Sequence, residues 1–308
     1  MIKNGSYLLK KLNKIKFSIL LVLISFLFGC KSVPQKTYVE PLNLLDNESF
    51  FYVSIPSQVD SELLNRILVN NIQSLSEKDA DLISSRIQHV YCGLIKNKQG
   101  TQIQASIKAD VPSSFIPKIF TKRNGWENNP IQIQDSEQSY NCCSNGNINI
   151  SFPSSNIVCL GRGMQYMLNT YDVLSNEIPA EGDIITNKSE LPDDLYNYLL
   201  NANDEIRFFA NKPQSFLSVL TGASLDLKLI QVYGSFVVDP KHESQYILDF
   251  HFDFKNEKYL RAGKGLLFLA FGLTNGQIEV LESNKLVVKG IKIKKEQFCS
   301  FFTIILKM

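Results

Sequence analysis

The segment QYILDFHFDF, residues 245–254, decides the fold class of this chain. Large apolar side chains occupy every second position: Tyr246, Leu248, Phe250, Phe252 and Phe254. The positions between them hold Gln245, Ile247, Asp249, His251 and Asp253, which are mostly polar. A period of two predicts a β-strand with one buried and one wetter face, as in an antiparallel sheet that is covered by helices.

Neighbouring segments supply this strand with partners. Residues 227–238 precede it across a turn at residues 239–242, so the two segments predict a hairpin. In the first half of the chain, residues 87–96 and 101–109 predict a similar hairpin around Gly100. A helix is expected to begin near Asp60, because apolar residues follow at helical spacing. These residues are Leu63, Leu64, Ile67, Leu68 and Ile72.

Three pieces of the first half recur in the same order in the second half, which indicates an internal repeat. FFYVSIP (50–56) resembles IRFFANKP (206–213), and IQHVYCG (87–93) resembles IQVYGS (230–235). GNINI (146–150) with NIVCLG (156–161) resembles GQIEV (276–280) with KLVVKG (285–290). The sequence therefore predicts an α+β fold of two pseudo-repeated halves, residues 41–190 and 191–308, each an antiparallel sheet covered by helices. The pattern leaves open whether the two sheets merge.

The N-terminus has the layout of a bacterial export signal. Five lysines and no acidic residue precede an uncharged, mostly apolar run from Phe17 to Phe28. A helix over this run would be about 18 Å long, well short of the roughly 30 Å hydrocarbon core of a bilayer, so a permanent transmembrane helix is the poorer interpretation. Residues 1–29 are therefore predicted to be a signal peptide that is removed.

The end of this segment, Leu27-Phe28-Gly29-Cys30, resembles the lipobox of bacterial lipoproteins. The resemblance implies that Cys30 becomes the acylated N-terminus, with chains such as palmitate that anchor firmly at about 0.8 kcal/mol per buried CH2. Phe28 departs from the small residue that most bacteria place there, although spirochaetes accept a wider range. Residues 30–40 then comprise the lipidated cysteine and a short tether. The rival interpretation is an ordinary secreted protein with a chance cysteine.

The charge balance argues against a nucleic-acid partner. Removal of the signal peptide takes five lysines from the 32 basic residues and leaves the 30 acidic ones, so the net charge becomes −3. A chain without a basic excess is not expected to bind nucleic acid.

No group of residues has the spacing of a catalytic or metal site. His89, His242 and His251 are not spaced as metal ligands, and no Gly-x-Ser-x-Gly elbow is present. His251 and Asp253 would share a strand face, either as a dyad or as ordinary polar residues on the solvent side. Five cysteines besides Cys30 define no disulfide framework. We expect no enzymatic activity, no metal and no cofactor.

Four stretches carry more apolar surface than a small core needs. They lie within residues 111–126, 164–174, 258–273 and 298–306. Each belongs either to the core or to a surface that contacts a membrane or a partner, and a nearby lipid anchor favours membrane contact. The candidate residues for contact with membrane or lipid are Phe115, Trp126, Met164, Met167, Leu266, Leu267, Phe268 and Phe271.

The lipobox-like end, the tether, the two αβ halves and the apolar helices together resemble treponemal outer-membrane lipoproteins with an α/β/α fold and amphipathic helices. The resemblance covers most of residues 30–308 and carries over no functional residue except Cys30. It implies a position on the periplasmic face of the outer membrane, rather than at the cell surface, and helices that insert into the bilayer.

Together these observations predict a non-catalytic, lipid-anchored lipoprotein of the cell envelope. Its apolar helices would associate with the bilayer or with a lipid or fatty-acid-like ligand. The alternatives are a tethered module that binds an envelope protein, and a surface antigen or adhesin. Lipid binding predicts a deep apolar pocket or an opened helix layer, whereas a protein partner predicts a flat exposed patch.

Overall fold

The computed structural model describes residues 38–300, except residues 73–74, 99, 113, 115, 135, 147, 177–190, 222–225 and 272–273. The predicted signal peptide, Cys30, nearly all of the tether, Phe115 and most of the C-terminal apolar run therefore lie outside the described residues. The described residues from Val39 onward form one compact unit.

The strands of the described chain are numbered in order. They are β1 Phe51–Pro56, β2 Ile87–Asn97, β3 Gly100–Ala109, β4 Glu127–Asn128, β5 Ile131–Gln132, β6 Ser139–Tyr140, β7 Cys142–Asn145, β8 Ile148–Ser154, β9 Ile157–Gly161, β10 Ile206–Ala210, β11 Leu229–Val238, β12 Gln245–Phe254, β13 Gln277–Glu282 and β14 Lys285–Lys294. The quoted segment is β12, and the hairpins predicted around Gly100 and residues 239–242 are confirmed.

The helices are α1 Ser61–Asn71, α2 Glu77–Ser84, α3 Ile116–Ile119, α4 Met164–Asn176, α5 Asp193–Leu200, α6 Pro213–Thr221 and α7 Glu257–Phe271. Two 3-10 helices span Pro41–Leu44 and Lys122–Asn124, and residues 295–300 are also helical. The helix predicted to begin near Asp60 is α1.

Twelve strands form one antiparallel sheet in the order β13-β14-β12-β11-β10-β1-β2-β3-β9-β8-β7-β4. The first strands of the two predicted halves, β1 and β10, pair at its centre, with Val53 opposite Phe208. The α+β class is confirmed, and the two predicted sheets are one. On one side of this central pair lies the hairpin β11–β12, followed by β14 of the hairpin β13–β14. On the other side lies the hairpin β2–β3, followed by β9 of the hairpin β8–β9. A duplication would give this arrangement, but the duplication itself stays a prediction.

Helices cover both faces of the sheet, and the alternation along β1 divides the core between them. Phe51, Val53 and Ile55 pack into the larger cluster, together with side chains from α1, α2, α6 and α7. Tyr52, between them, packs into the second cluster with α4, α5 and the 3-10 helix at Pro41–Leu44. Period-two alternation thus gives a three-layer α/β/α arrangement.

A buried carboxylate ties the start of α1 to the second half of the chain. Asp60 caps α1 by accepting the Leu63 N–H at 3.0 Å. Its other oxygen accepts the Tyr246 hydroxyl at 2.6 Å and lies 2.7 Å from the Lys295 ammonium. Burial alone would raise the pKa of Asp60, but these hydrogen bonds outweigh burial and hold the pKa below its ordinary value.

One edge of the sheet, β13, carries features that discourage further strand pairing. Its register shifts between Val280 and Glu282, which marks an irregularity in the ladder. Glu279 and Glu282 form ion pairs with Lys289 and Lys285 at 2.7 and 3.3 Å. Irregular pairing and edge charges are the usual means by which natural sheets limit edge-to-edge growth.

Helix α7 lies close to the sheet at Gly263. A Cβ at this position would overlap the ring of Phe254, the last residue of β12. The absence of a side chain therefore lets the helix backbone lie directly on an aromatic ring. Gly265, two residues later, is exposed, and a Cβ at that residue would point into open space.

We expect Gly263→Ala and Gly265→Ala to change stability in opposite directions. Alanine normally stabilises a helix relative to glycine by about 0.5–1 kcal/mol, and Gly265→Ala should show this gain. Gly263→Ala should instead cost about 1–3 kcal/mol, because the methyl group overpacks the contact with Phe254. Urea-induced unfolding of the two variants measures both effects. A gain in both variants would mean that α7 does not rest on Phe254.

Candidate lipid-binding site

Helix α7 separates its apolar residues between the core and the surface. Leu267 is buried, with 4% of its surface exposed, and Phe271 is partly buried against the same cluster. Leu266, Phe268 and Leu269 are 51%, 64% and 76% exposed. Because Leu267 is enclosed, it does not face lipid in this conformation, whereas Leu266 and Phe268 do offer an apolar surface. Leu269, which the sequence analysis did not single out, is the most exposed of the three.

The first half of α7 exposes charges instead. Lys258, Arg261 and Lys264 are all exposed, and Arg261 pairs with Glu257 one turn earlier at 2.7 Å. The outward side of the helix therefore changes from basic to apolar along its length. Basic residues beside exposed Leu and Phe are typical of helices that lie at the interface of an anionic bilayer.

Three other candidate residues, Met164, Met167 and Trp126, belong to the core. Met164 and Met167 are buried in the cluster under α4 and α5. Trp126 is buried in the larger cluster and meets the Phe120 ring edge-on, with 4.9 Å between ring centroids. These three side chains do not face lipid in this conformation, because the sheet and helices enclose them. Phe115 lies outside the described residues.

An apolar cavity of about 410 Å³ lies beside the sheet in the larger core cluster. Its lining combines the sheet with α6, α7 and residues 297–298. The lining residues are Phe51, Val53, Phe208, Phe216, Phe236, Leu248, Phe250, Phe271, Ile291, Lys292, Ile293, Gln297 and Phe298. This volume falls within the range of roughly 300–1,000 Å³ that is usual for small-molecule sites. We therefore take the cavity as a candidate site for an apolar ligand.

Two smaller apolar spaces lie beneath the helices of the first half. Their volumes are about 80 and 60 Å³. Both touch Leu68 of α1 and Ile107 of β3, so they are neighbours. Their walls are almost entirely apolar, and side chains of α1–α3 form part of them.

Two polar residues, Lys292 and Gln297, are among those that line the large cavity. Because Ile291 and Ile293 face the core cluster, the side chain of Lys292 between them lies on the opposite face of β14. The Lys292 ammonium lies 3.0 Å from the Asp239 carboxylate, which is buried and does not line the cavity. The hydrogen bond from the Lys241 N–H, and then the ion pair with Lys292, lower the pKa of Asp239. The side-chain carbonyl of Gln297 accepts the Lys294 N–H at 3.2 Å. Asp239 and Lys292 are 53 residues apart in the chain, so their ion pair had no local signal in the sequence.

The polar pair that the sequence placed on β12 has structural contacts. The ring of His251 stacks on Tyr233 at 4.8 Å between centroids. The buried Asp253 accepts a hydrogen bond from the Gln231 amide at 2.7 Å. Burial is the main cause that lowers the pKa of His251. Asp253 is thus held by Gln231 rather than by the imidazole, so the two residues are not arranged as a hydrogen-bonded dyad.

A serine–histidine pair, Ser54 with His89, was not predicted from the sequence. Ser54 Oγ lies 2.6 Å from His89 Nε2 and donates a hydrogen bond to the Leu199 carbonyl at 2.9 Å. Ser54 is fully buried, and burial followed by the nearby Lys108 charge lowers the pKa of His89 to about 4. Ser54 on β1 therefore joins His89 on β2 to Leu199 on α5, and its hydroxyl proton is already used in the bond to Leu199.

The described residues contain five cysteines, all buried and none in a disulfide: Cys92, Cys142, Cys143, Cys159 and Cys299. Between residues 38 and 300, the described His, Cys, Asp and Glu side chains do not gather in groups of three or more that could hold a metal ion. In the same part of the chain, the helices lack the combined length and apolarity needed to cross a membrane.

Comparison with known proteins identifies relatives of this chain. Residues 36–299 match the family model described as outer membrane-associated lipoprotein TP0453. The fold is similar to crystal form I of the treponemal protein TP0453, with a TM-score of 0.63, 18% identity, and coverage of 88% of this chain and 99% of that chain. Crystal form III gives a TM-score of 0.64 at 18% identity, covering 87% and 99%. At this identity the structures establish a shared fold. None of the curated proteins matches this chain.

Two neighbouring substitutions on α7 should distinguish its buried and exposed residues. Leu267→Ala should lower the free energy of unfolding by about 2–5 kcal/mol, because it leaves a cavity under the helix. Phe268→Ala should change it by no more than about 0.5 kcal/mol, because that ring lies mostly in solvent. Urea-induced unfolding provides both values. Equal losses in the two variants would contradict the orientation of α7 described above.

Proposed function

This chain belongs to the outer membrane-associated lipoprotein TP0453 family, and we propose that it is a non-catalytic lipoprotein anchored through Cys30 to the periplasmic face of the outer membrane. The folded domain then rests on the bilayer through the exposed end of α7. The same domain holds a lipid or fatty-acid-like ligand in its large apolar cavity.

The observation that carries the membrane contact is the exposure of Leu266, Phe268 and Leu269 at the end of α7. Full burial of a Leu or Phe side chain contributes about 1.5–3 kcal/mol, so three such residues represent a substantial gain when they enter the bilayer interface. The basic residues of the preceding turns favour anionic lipid headgroups. An acyl anchor at Cys30 would add to this contact by keeping the domain close to the membrane.

Two observations support a non-catalytic role. Ser54 is buried and donates its hydrogen bond to the Leu199 carbonyl, and Asp253 is hydrogen-bonded to Gln231 rather than to His251. The polar groups that resemble catalytic pairs therefore have structural partners. The cavity supports a binding role, because eleven of its thirteen lining residues are aliphatic or aromatic.

A protein-interaction module is the second candidate function. Val280 and Leu281, on the edge strand β13, are 46% and 48% exposed. Two adjacent exposed apolar residues on a sheet edge offer a limited surface for a protein partner. The membrane-binding experiment below separates this candidate from the first.

Flotation with liposomes tests the contact through α7. Residues 31–308, without the acyl anchor, should float with vesicles that contain phosphatidylglycerol. Phe268→Ser combined with Leu269→Ser should weaken partitioning at least about tenfold, because two exposed apolar anchors are lost. The matched control, Val173→Ser with Leu281→Ser, removes two exposed apolar residues elsewhere and should float like the wild type. Folded wild type that stays at the bottom of the gradient would refute membrane contact and favour a protein partner.

Removal of the acylated cysteine tests the anchor separately. Cys30→Ala in the full chain should leave the fold intact and move most of the protein from the membrane fraction to the soluble fraction of cells. Far-UV circular dichroism of the recovered protein checks the fold. If the variant stays in the membrane fraction after a high-salt wash, acylation at Cys30 is not the main anchor.

A further inference from the structure

Asparagine precedes glycine at several points of the chain, and at such dipeptides the side-chain amide can react with the backbone. Glycine has no side chain to shield its own amide nitrogen, so this nitrogen can attack the side-chain carbonyl carbon of the preceding asparagine. Beyond the predicted signal peptide, Asn-Gly dipeptides occur at residues 124–125, 145–146 and 275–276. Reaction in the folded protein requires the backbone at the glycine to move, and the structure gives the three dipeptides different surroundings.

The dipeptide at Asn124 is held by hydrogen bonds. The side-chain amide of Asn124 donates to the Ile119 carbonyl at 2.9 Å, and its backbone N–H donates to Thr121 Oγ1 at 3.2 Å. The Gly125 N–H donates to the Lys122 carbonyl at 3.0 Å. The attacking nitrogen and the amide that would leave are therefore both engaged, and these bonds must break before the reaction can begin.

The dipeptide at Asn275 is restrained by packing as well as by a hydrogen bond. The Gly276 N–H donates to Thr274 Oγ1 at 3.1 Å. A Cβ at Gly276 would lie 2.9 Å from side-chain atoms of Val288 and Ile291, so the backbone here rests directly on β14. The rotation that carries the glycine nitrogen towards the asparagine side chain would disrupt this close contact.

The dipeptide at Asn145 has neither restraint. β7 ends at Asn145, which pairs with Ile148 at the start of β8, so Gly146 lies in the two-residue turn of the hairpin. Gly146 is exposed, has a φ of +58° and would direct a Cβ into open space. Within the described part of the chain, the Asn145 side chain and the Gly146 N–H make no hydrogen bond to another residue. Only the last pair of the hairpin has to open, and strand ends open readily.

We propose that Asn145 is a site of spontaneous deamidation in the folded protein. The Gly146 nitrogen bonds to Asn145 Cγ, the bond from Cγ to the side-chain nitrogen breaks, and ammonia leaves with the proton of the Gly146 N–H. Water then opens the resulting cyclic imide at one of its two carbonyl groups. The products are aspartate, with an unchanged backbone, and isoaspartate, in which the backbone continues through the side chain.

The modification changes charge and register at one edge of the large sheet. Both products add a negative charge near the hairpin tip, and isoaspartate also adds a backbone atom at the end of β7. Ladder pairing depends on the spacing of backbone groups, so isoaspartate should disrupt the pair between residue 145 and Ile148. The edge strand β4 pairs with β7 beside this position, where Glu127 lies opposite Ser144. We therefore expect isoaspartate to loosen this edge.

Peptide mapping of the purified protein by mass spectrometry tests the assignment. Folded protein and protein denatured in guanidinium chloride are incubated side by side in mildly alkaline buffer, and aspartate and isoaspartate are then quantified at Asn124, Asn145 and Asn275. The denatured sample should react similarly at all three positions, because no structure restrains them. In the folded sample Asn145 should react at least about tenfold faster than the other two, whose hydrogen bonds and packing raise the barrier.

Two variants supply a matched comparison. Asn145→Gln, whose longer side chain cyclises far more slowly, should remove the acidic species that isoelectric focusing detects in incubated folded protein. Asn275→Gln changes an exposed asparagine in the same kind of dipeptide and should leave that species unchanged. Far-UV circular dichroism checks that both variants fold. Equal modification of the three positions in folded wild type, or an intact Asn145 where the denatured sample reacts, would overturn the proposal.

Discussion

The antiparallel pairing of β1 with β10 is the constraint on which the rest of the molecule depends. This ladder joins the two halves of the chain into one sheet, with Val53 opposite Phe208 and Tyr52 opposite Phe209. Because side chains alternate across a strand, the first pair faces the larger core cluster and the second faces the smaller one. Neither half has a separate core, so the helices of both halves cover continuous surfaces.

The cavity follows from this junction. Its walls include Phe51 and Val53 from β1 and Phe236 and Leu248 from β11 and β12, so both halves of the chain contribute to it. Phe271 at the end of α7 closes part of the wall, and Phe268 of the same helix faces solvent. The two parts of the proposed function, contact with the bilayer and binding of a lipid or fatty-acid-like ligand, therefore depend on the same helix. Two smaller apolar spaces lie under α1–α3, on the same side of the sheet.

Local patterns in the sequence were enough to predict much of the fold. The alternation in residues 245–254 gave β12, and the apolar spacing after Asp60 gave α1, because each depends on the geometry of a single element. Burial within α7 was not predictable in this way. Leu266, Leu267 and Phe268 are consecutive apolar residues, and the register set by the contact between Gly263 and Phe254 decides that only Leu267 is enclosed. The ion pair between Asp239 and Lys292 arises from a tertiary contact, for which a single sequence carries no local signal.

The irregular, charged edge at β13 has a consequence for a lipoprotein. Copies confined to one membrane share a plane and meet at high local concentration, a condition in which an open strand edge templates the next molecule. The register shift near Leu281 and the glutamates that flank it oppose such templating. Molecules that are crowded on one membrane therefore do not pair their edge strands and do not grow into fibrils.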